Sequence, residues 1–279
     1  MRTLLISLLA LAACMDAPRR SVDPEALPSV PGSYRLDAPD AVLELPNELK
    51  EISGLTVLPS GRLGAVQDER GVVFEIDPLT GAIVDRLPFA SDGDFEGVEL
   101  VPGRALWALR SDGDLYHLDR DSTGAPRTRK VKNALRSRND VEGLAYDAAR
   151  NRLLVACKEW PGKDLGDVRA IYAFDLATET LSARPVLVLR EAEVDGQRPF
   201  KPSALAVHPS TGRVYVLSSV RRAIAVLDPD GTLLGVTDFP AGIAPQPEGL
   251  AFSPNGTLYV ASEGPTGPGT LLRFAPLTP

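Results

Sequence analysis

A four-residue phrase returns five times along this chain. It reads Ile52-Ser53-Gly54-Leu55, Phe95-Glu96-Gly97-Val98, Val141-Glu142-Gly143-Leu144, Pro202-Ser203-Ala204-Leu205 and Pro247-Glu248-Gly249-Leu250. Its third positions, 54, 97, 143, 204 and 249, are separated by 43, 46, 61 and 45 residues. Repeats of that length, each cut by turns into short β-type runs, predict an all-β, five-bladed β-propeller with one blade per repeat. Equivalent positions in a propeller face a common axis. Glu96, Glu142 and Glu248 are therefore expected to converge.

The turns divide each repeat into strands. The fifth repeat is one strand short, while an unassigned strand at 42–45, after a run at 34–36, precedes the first repeat. One of these is expected to complete the last blade, so that an N-terminal strand closes the ring and removes an exposed edge. In the third repeat the outer strand is expected at 183–188. That repeat is longer than the others through insertions at 159–168 and 190–199. Such insertions fit either neutral drift or loops added on a binding face.

The N-terminus reads differently. Met1 and Arg2 precede an apolar run at 4–13, too short to span a bilayer, which needs about 20 residues. The run ends in Leu11-Ala12-Ala13-Cys14, which resembles the bacterial lipobox, so residues 1–14 are expected to be a lipoprotein signal peptide ending at a lipidated Cys14. Residues 15–33 carry Pro18, Pro24, Pro28 and Pro31 and read as a tether. The propeller domain is then 34–279, membrane-anchored through the N-terminal lipid and facing the periplasm. Met15 rather than Asp follows Cys14, which points to the outer membrane over the inner. After Cys14 only Cys157 remains, in a strand-like run that suits a small core residue, so the mature fold has no internal disulfide.

A net charge of −7 argues against a nucleic-acid partner. Arg127, Arg129, Lys130, Lys132, Arg136 and Arg138 form a local exception. They read either as a solvated strand and loop or as a patch against anionic lipid.

Three carboxylates in one narrow channel repel one another and raise each other's pKa. A hard cation removes that cost, and calcium accepts six to eight oxygen ligands in irregular arrangements. The competing arrangement has the same residues capping amides or pairing with Arg110 and Lys158. The ends of the second strands add Asp68, Arg110, Lys158 and Glu263 to the mouth, and Lys201 stands two positions before Ser203. The expected calcium ligands are Glu96, Glu142, Glu248 and Asp68, with Arg110, Lys158, Lys201 and Glu263 on the rim. A cation ringed by basic groups suits a small anionic ligand. His117 and His208 have no Ser or Asp partner in view, so a hydrolytic triad is not expected.

These blocks, from Glu51-Ile52-Ser53-Gly54-Leu55 and Val66-Gln67-Asp68-Glu69-Arg70-Gly71 to Leu109-Arg110-Ser111-Asp112-Gly113-Asp114 and Asn139-Asp140-Val141-Glu142-Gly143-Leu144, resemble the SdiA-regulated domain family. The resemblance runs from Lys50 to Phe274 with the blocks in family order. It implies a five-bladed propeller, distantly similar to NHL-repeat proteins, with a calcium site. It extends to gluconolactonase-like propellers, whose residue before the repeated Gly binds the catalytic metal. Carried over, that implies Glu96, Glu142 and Glu248, whereas Ser53 and Ser203 depart from the acidic pattern.

Two functions follow. The first is an envelope-anchored, calcium-binding module that binds or scaffolds an envelope protein or a small anionic ligand. The second is a metal-dependent hydrolase of lactones or phosphoesters, using calcium-bound water, with Asp68 or Glu263 as base and Arg110, Lys158 or Lys201 as oxyanion stabiliser.

Overall fold

The computed structural model describes residues 34–277 except 104 and 195. The expected signal peptide, Cys14 and the tether lie outside the described residues. The first described strand is short, β1 (Ala41–Glu44). Blade one follows as β2 (Ile52–Val57), β3 (Leu63–Gln67), β4 (Val72–Ile76) and β5 (Ile83–Pro88). Blade two is β6 (Phe95–Val101), β7 (Ala105–Arg110), β8 (Leu115–Arg120) and β9 (Pro126–Val131). Blade three is β10 (Val141–Asp147), β11 (Arg152–Cys157) and β12 (Val168–Asp175), with β13 (Thr180–Leu181) and β14 (Leu187–Arg190) both paired to β12. Blade four is β15 (Pro202–Val207), β16 (Val214–Ser218), β17 (Ala223–Leu227) and β18 (Leu233–Asp238). Blade five is β19 (Pro247–Phe252), β20 (Leu258–Ser262) and β21 (Thr270–Phe274).

Every blade is an antiparallel meander, and β1 pairs with β21 from Ala41↔Arg273 to Glu44↔Thr270. The N-terminal strand therefore completes the last blade, as its orphan position in the sequence predicts. Inner strands β2, β6, β10, β15 and β19 contact one another in turn and return to β2, which closes the ring. Middle strands such as β16 and β17 are buried throughout, because each blade is covered on both faces by its neighbours. Outer strand β9 is mostly exposed, and it carries three of the clustered basic residues. Lys130 pairs with Asp114 at 2.5 Å, Arg129 with Glu179 at 2.5 Å, and Arg138 lies 3.5 Å over the Trp160 ring.

The outer strand of blade three departs from the continuous run expected at 183–188. It is split around Arg184-Pro185, because a proline cannot donate to the ladder. Ser182 Oγ accepts the Ala173 amide at 3.1 Å, and the Val186 amide donates to Ile171 O at 2.8 Å, which rejoins the two pieces to β12.

The repeated phrase has a structural meaning that its letters do not carry. In every inner strand the pairing register shifts across its second residue: Ile52 faces Gln67 and Gly54 faces Val66, so Ser53 is an extra residue. The same shift isolates Glu96, Glu142, Ser203 and Glu248. The phrase is thus a five-fold β-bulge, a device that re-aims a side chain at the rim of a sheet. The third position lets the blades meet. A Cβ on Gly97 would fall 2.8 Å from Leu144 Cβ of the next blade, and one on Gly143 would fall 2.7 Å from Leu205 Cγ. The fourth positions, Leu55, Val98, Leu144, Leu205 and Leu250, are all buried and surround an axial void of about 10 Å3, scarcely room for one water. They plug the channel and divide it into two separate ends.

Candidate functional site: the carboxylate mouth

The bulges place Glu96, Glu142 and Glu248 at the end of the channel where the inner strands begin. Glu142 and Glu248 are 5% and 8% exposed. Around them the tips of the second strands pair by backbone with the residues two before each bulge. The amides of Asp68, Ser111, Lys158 and Glu263 donate to the carbonyls of Glu51, Asp94, Asp140 and Gln246 at 3.4, 3.0, 2.8 and 2.9 Å. In blade four the Lys201 amide donates instead to Ser218 Oγ at 2.9 Å. In four blades the tips of the second strands are therefore tied by backbone to the residues just ahead of the inner strands.

The electrostatics of this mouth are those of crowded acids. Burial raises the pKa of Glu96, and the charge of Glu142 and a hydrogen bond with Asp94 raise it further. Burial and then Glu248 push Glu142 up, against the opposing pull of Lys158. Glu248 is also raised by burial, although Lys158 and hydrogen bonds from Ser219, Ser203 and Gln246 oppose the shift. Ser203 fills the acid position of its own blade, and its hydroxyl donates to the Pro247 carbonyl beside Glu248 at 3.0 Å. Burial, with Glu51, Glu69 and Asp94 nearby, lifts Asp68 to about 6. Burial, with Glu248, Asp68 and Glu51, lifts Glu263 to about 7.

The basic residues expected on the rim are each engaged. Lys158 forms an ion pair with Glu142; burial works against its charge, but Glu142 outweighs that and holds its pKa above the usual lysine value. Arg110 turns to Asp112 and to Asp114, the latter at 3.1 Å, and the Asp112 hydrogen bond raises its pKa. Lys201 pairs with Glu159 of the first insertion in blade three. Gln246 donates to Glu263. Among the described residues, Lys158 alone is paired within the acidic ring, while Arg110 and Lys201 are paired outside it.

The donor chemistry fits a hard cation. Every candidate ligand is a carboxylate oxygen, and two of them, Glu142 Oε2 and Asp68 Oδ1, are buried without a hydrogen-bond partner. The side chains are not gathered at ligating spacing, however. Among the described residues, no three of His, Cys, Asp and Glu stand close enough to hold a metal. Cys157, the expected core thiol, is free and fully buried, and burial raises its pKa to about 12. Glu99, on the same inner strand as Glu96, was not singled out by the phrase. Comparing the residue three places past each bulge would have found it.

The fold and the mouth define a five-bladed propeller whose plugged channel presents a crowd of carboxylates at one end. Residues 33–267 match the SdiA-regulated family, and the chain belongs to it. Solved structures share the fold at low identity. A glutaminyl cyclase from Myxococcus xanthus aligns with a TM-score of 0.60 at 15% identity, covering 86% of this chain and 97% of that one. A gluconolactonase from Xanthomonas campestris aligns with a TM-score of 0.53 at 16% identity, covering 80% and 72%. An aldose sugar dehydrogenase from Streptomyces coelicolor aligns with a TM-score of 0.51 at 15% identity, covering 85% and 99%. Three different activities on one scaffold leave function to be argued from the site.

Proposed function

We propose that this protein is a calcium-binding propeller, anchored at the cell envelope through Cys14, that acts as a binding module at its carboxylate mouth. The observation that carries this reading is the pair of buried, partnerless oxygens, Glu142 Oε2 and Asp68 Oδ1, in a ring of acids within which Lys158 is paired. Glu96, Glu142, Glu248 and Asp68 would hold the cation by drawing closer around it than they stand in its absence. Calcium there would supply the positive charge that the engaged rim residues do not. A small anionic ligand, or an acidic group on an envelope partner, could then share it.

A second reading, a metal-dependent hydrolase of lactones or phosphoesters, is favoured by one observation. Glu263 sits beside the ring with a pKa of about 7, suited to accept a proton at neutral pH. Its side chain is positioned by Gln246.

Thermal unfolding with calcium and with a chelator tests the first reading, on the wild type and Glu142→Gln. A midpoint several degrees higher with calcium, about what saturation far above Kd gives, and lost in the variant, is the expected result. No response in either protein would make the carboxylates structural and remove both readings that need the metal. If calcium binds, screens against lactones and phosphoesters decide between module and hydrolase.

A further inference from the structure

The inner strands carry a second set of equivalent positions that the carboxylate mouth does not use. Three residues past each bulge stand Thr56, Glu99, Ala145, Ala206 and Ala251. Beyond the axial plug, where the inner strands end, the ring opens into a bowl of about 830 Å3. That is the size of a small-molecule site. Thr56, Glu99, Ala206 and Ala251 line it, and the two alanines leave the space that larger residues would fill. Much of the remaining wall is apolar, including Val57, Leu58 and Phe252.

Glu99 stands out in this setting. Its Oε1 accepts the Thr56 hydroxyl at 3.0 Å and the Leu100 amide at 2.9 Å. Burial nevertheless lifts its pKa to about 7, against these bonds and one from the Tyr146 backbone. The other charged groups facing the bowl are committed elsewhere. Arg150 pairs with Asp147 at 3.4 Å, and Arg152 holds the same carboxylate at 2.9 Å. His208 bonds the Tyr34 hydroxyl at 3.1 Å and packs on Phe252 and Tyr215. Among the described residues no cation pairs with Glu99. A half-buried carboxylate on the wall of a largely apolar bowl is costly until a proton or a cation meets it.

We propose that the bowl is a second ligand site, selective for a small amphipathic amine whose ammonium group pairs with Glu99 while its apolar body lies against Val57, Leu58 and Phe252. The proposal is independent of calcium at the opposite end, because the leucine and valine plug separates the two.

Calorimetric titration of the whole protein with 2-phenylethylamine and with 2-phenylethanol, which differ only in the polar head, tests it. The amine is expected to bind the wild type about tenfold more tightly than the alcohol, the size of one charge-assisted pair. Glu99→Gln, checked for folding by its thermal midpoint, is expected to bring the two within about twofold. Ala149→Trp, at an exposed position lining the bowl, is expected to weaken both ligands by narrowing the opening. Equal binding of amine and alcohol to the wild type, or binding of neither, overturns the proposal. So does an amine preference that survives Glu99→Gln, which would place the amine at the carboxylate mouth, or unchanged binding in Ala149→Trp.

Discussion

At one end of the channel, acids crowd; at the other, Glu99 stands without a cation among the described residues, while Asp147, the second acid there, is held by Arg150 and Arg152. Both ends are built from the same five inner strands. At the bulge, three of the five equivalent positions are Glu, and Asp68, Glu263 and Glu51 add to the ring. Three residues on, the equivalent positions hold one Glu, one Thr and three Ala. The backbone geometry repeats, so the difference lies only in which side chains occupy it. The crowd is a problem of mutual repulsion, relieved in part by Lys158. Glu99 is a problem of desolvation, relieved in part by three hydrogen bonds. A repetitive scaffold thus exposes function where the blades stop being alike.

The sharpest way to break this contrast is to remove Lys158, the cation paired within the crowded end. Lys158→Met should lower stability at pH 8 by about 3 kcal/mol, because it leaves Glu142 buried and uncompensated. The loss should shrink toward pH 5 as Glu142 takes up a proton in the folded state. Urea unfolding at the two pH values measures it, and a loss independent of pH would mean that Lys158 acts by packing alone.

Glu99 should show a smaller effect of opposite sign. Glu99 has a folded pKa of about 7, above its ordinary 4.5, so the folded protein holds this proton more tightly than the unfolded chain. Its contribution is fully present below about pH 4.5 and is lost as pH rises through about 7. Glu99→Gln should therefore match the wild type near pH 4 and exceed its stability at pH 8 by roughly 1–2 kcal/mol. Denaturation midpoints at both pH values test this, against a background in which Asp147, Arg150 and His208 also face the bowl. A variant less stable at pH 8 would show that the ionised carboxylate is already satisfied.

The smallest expected effect concerns the rim of the bowl. The Tyr34 hydroxyl donates to Gly256 O at 2.6 Å and meets His208. Tyr34→Phe should cost about 1 kcal/mol in thermal or urea unfolding, the worth of one buried hydrogen bond. A cost near zero would mean that ring packing against Tyr215 and Phe252 alone holds this segment.

Much of this architecture was legible because a propeller repeats. The phrase located all five inner strands, and the missing strand of blade five located the closure by β1. The bulge was not legible, since it is a property of register between two strands and leaves no fixed residue type: Ser and Glu both occupy it. The split outer strand of blade three depended on Pro185, whose effect was hidden inside a run of suitable strand length. At the mouth, equivalence puts Glu96, Glu142 and Glu248 at the same bulge, but it does not by itself bring three carboxylates to ligating spacing. The engagement of Arg110 by Asp112 and Asp114, and of Lys201 by Glu159, did not follow from equivalence, because long side chains choose partners by local reach. Glu99 lies inside the strand that Glu96 already marks, and the repeated phrase does not reach it.

Tyr34 has a further consequence. It is the first described residue, and its partners Gly256 and His208 sit on turns at the bowl's end of the molecule. Tyr34 therefore fastens the segment ahead of β1 to turns of blades four and five, so the closing strand is held to the ring at a second point besides its ladder with β21. The same bond that pins the start of the described fold thus also guards the seam at which the ring is closed.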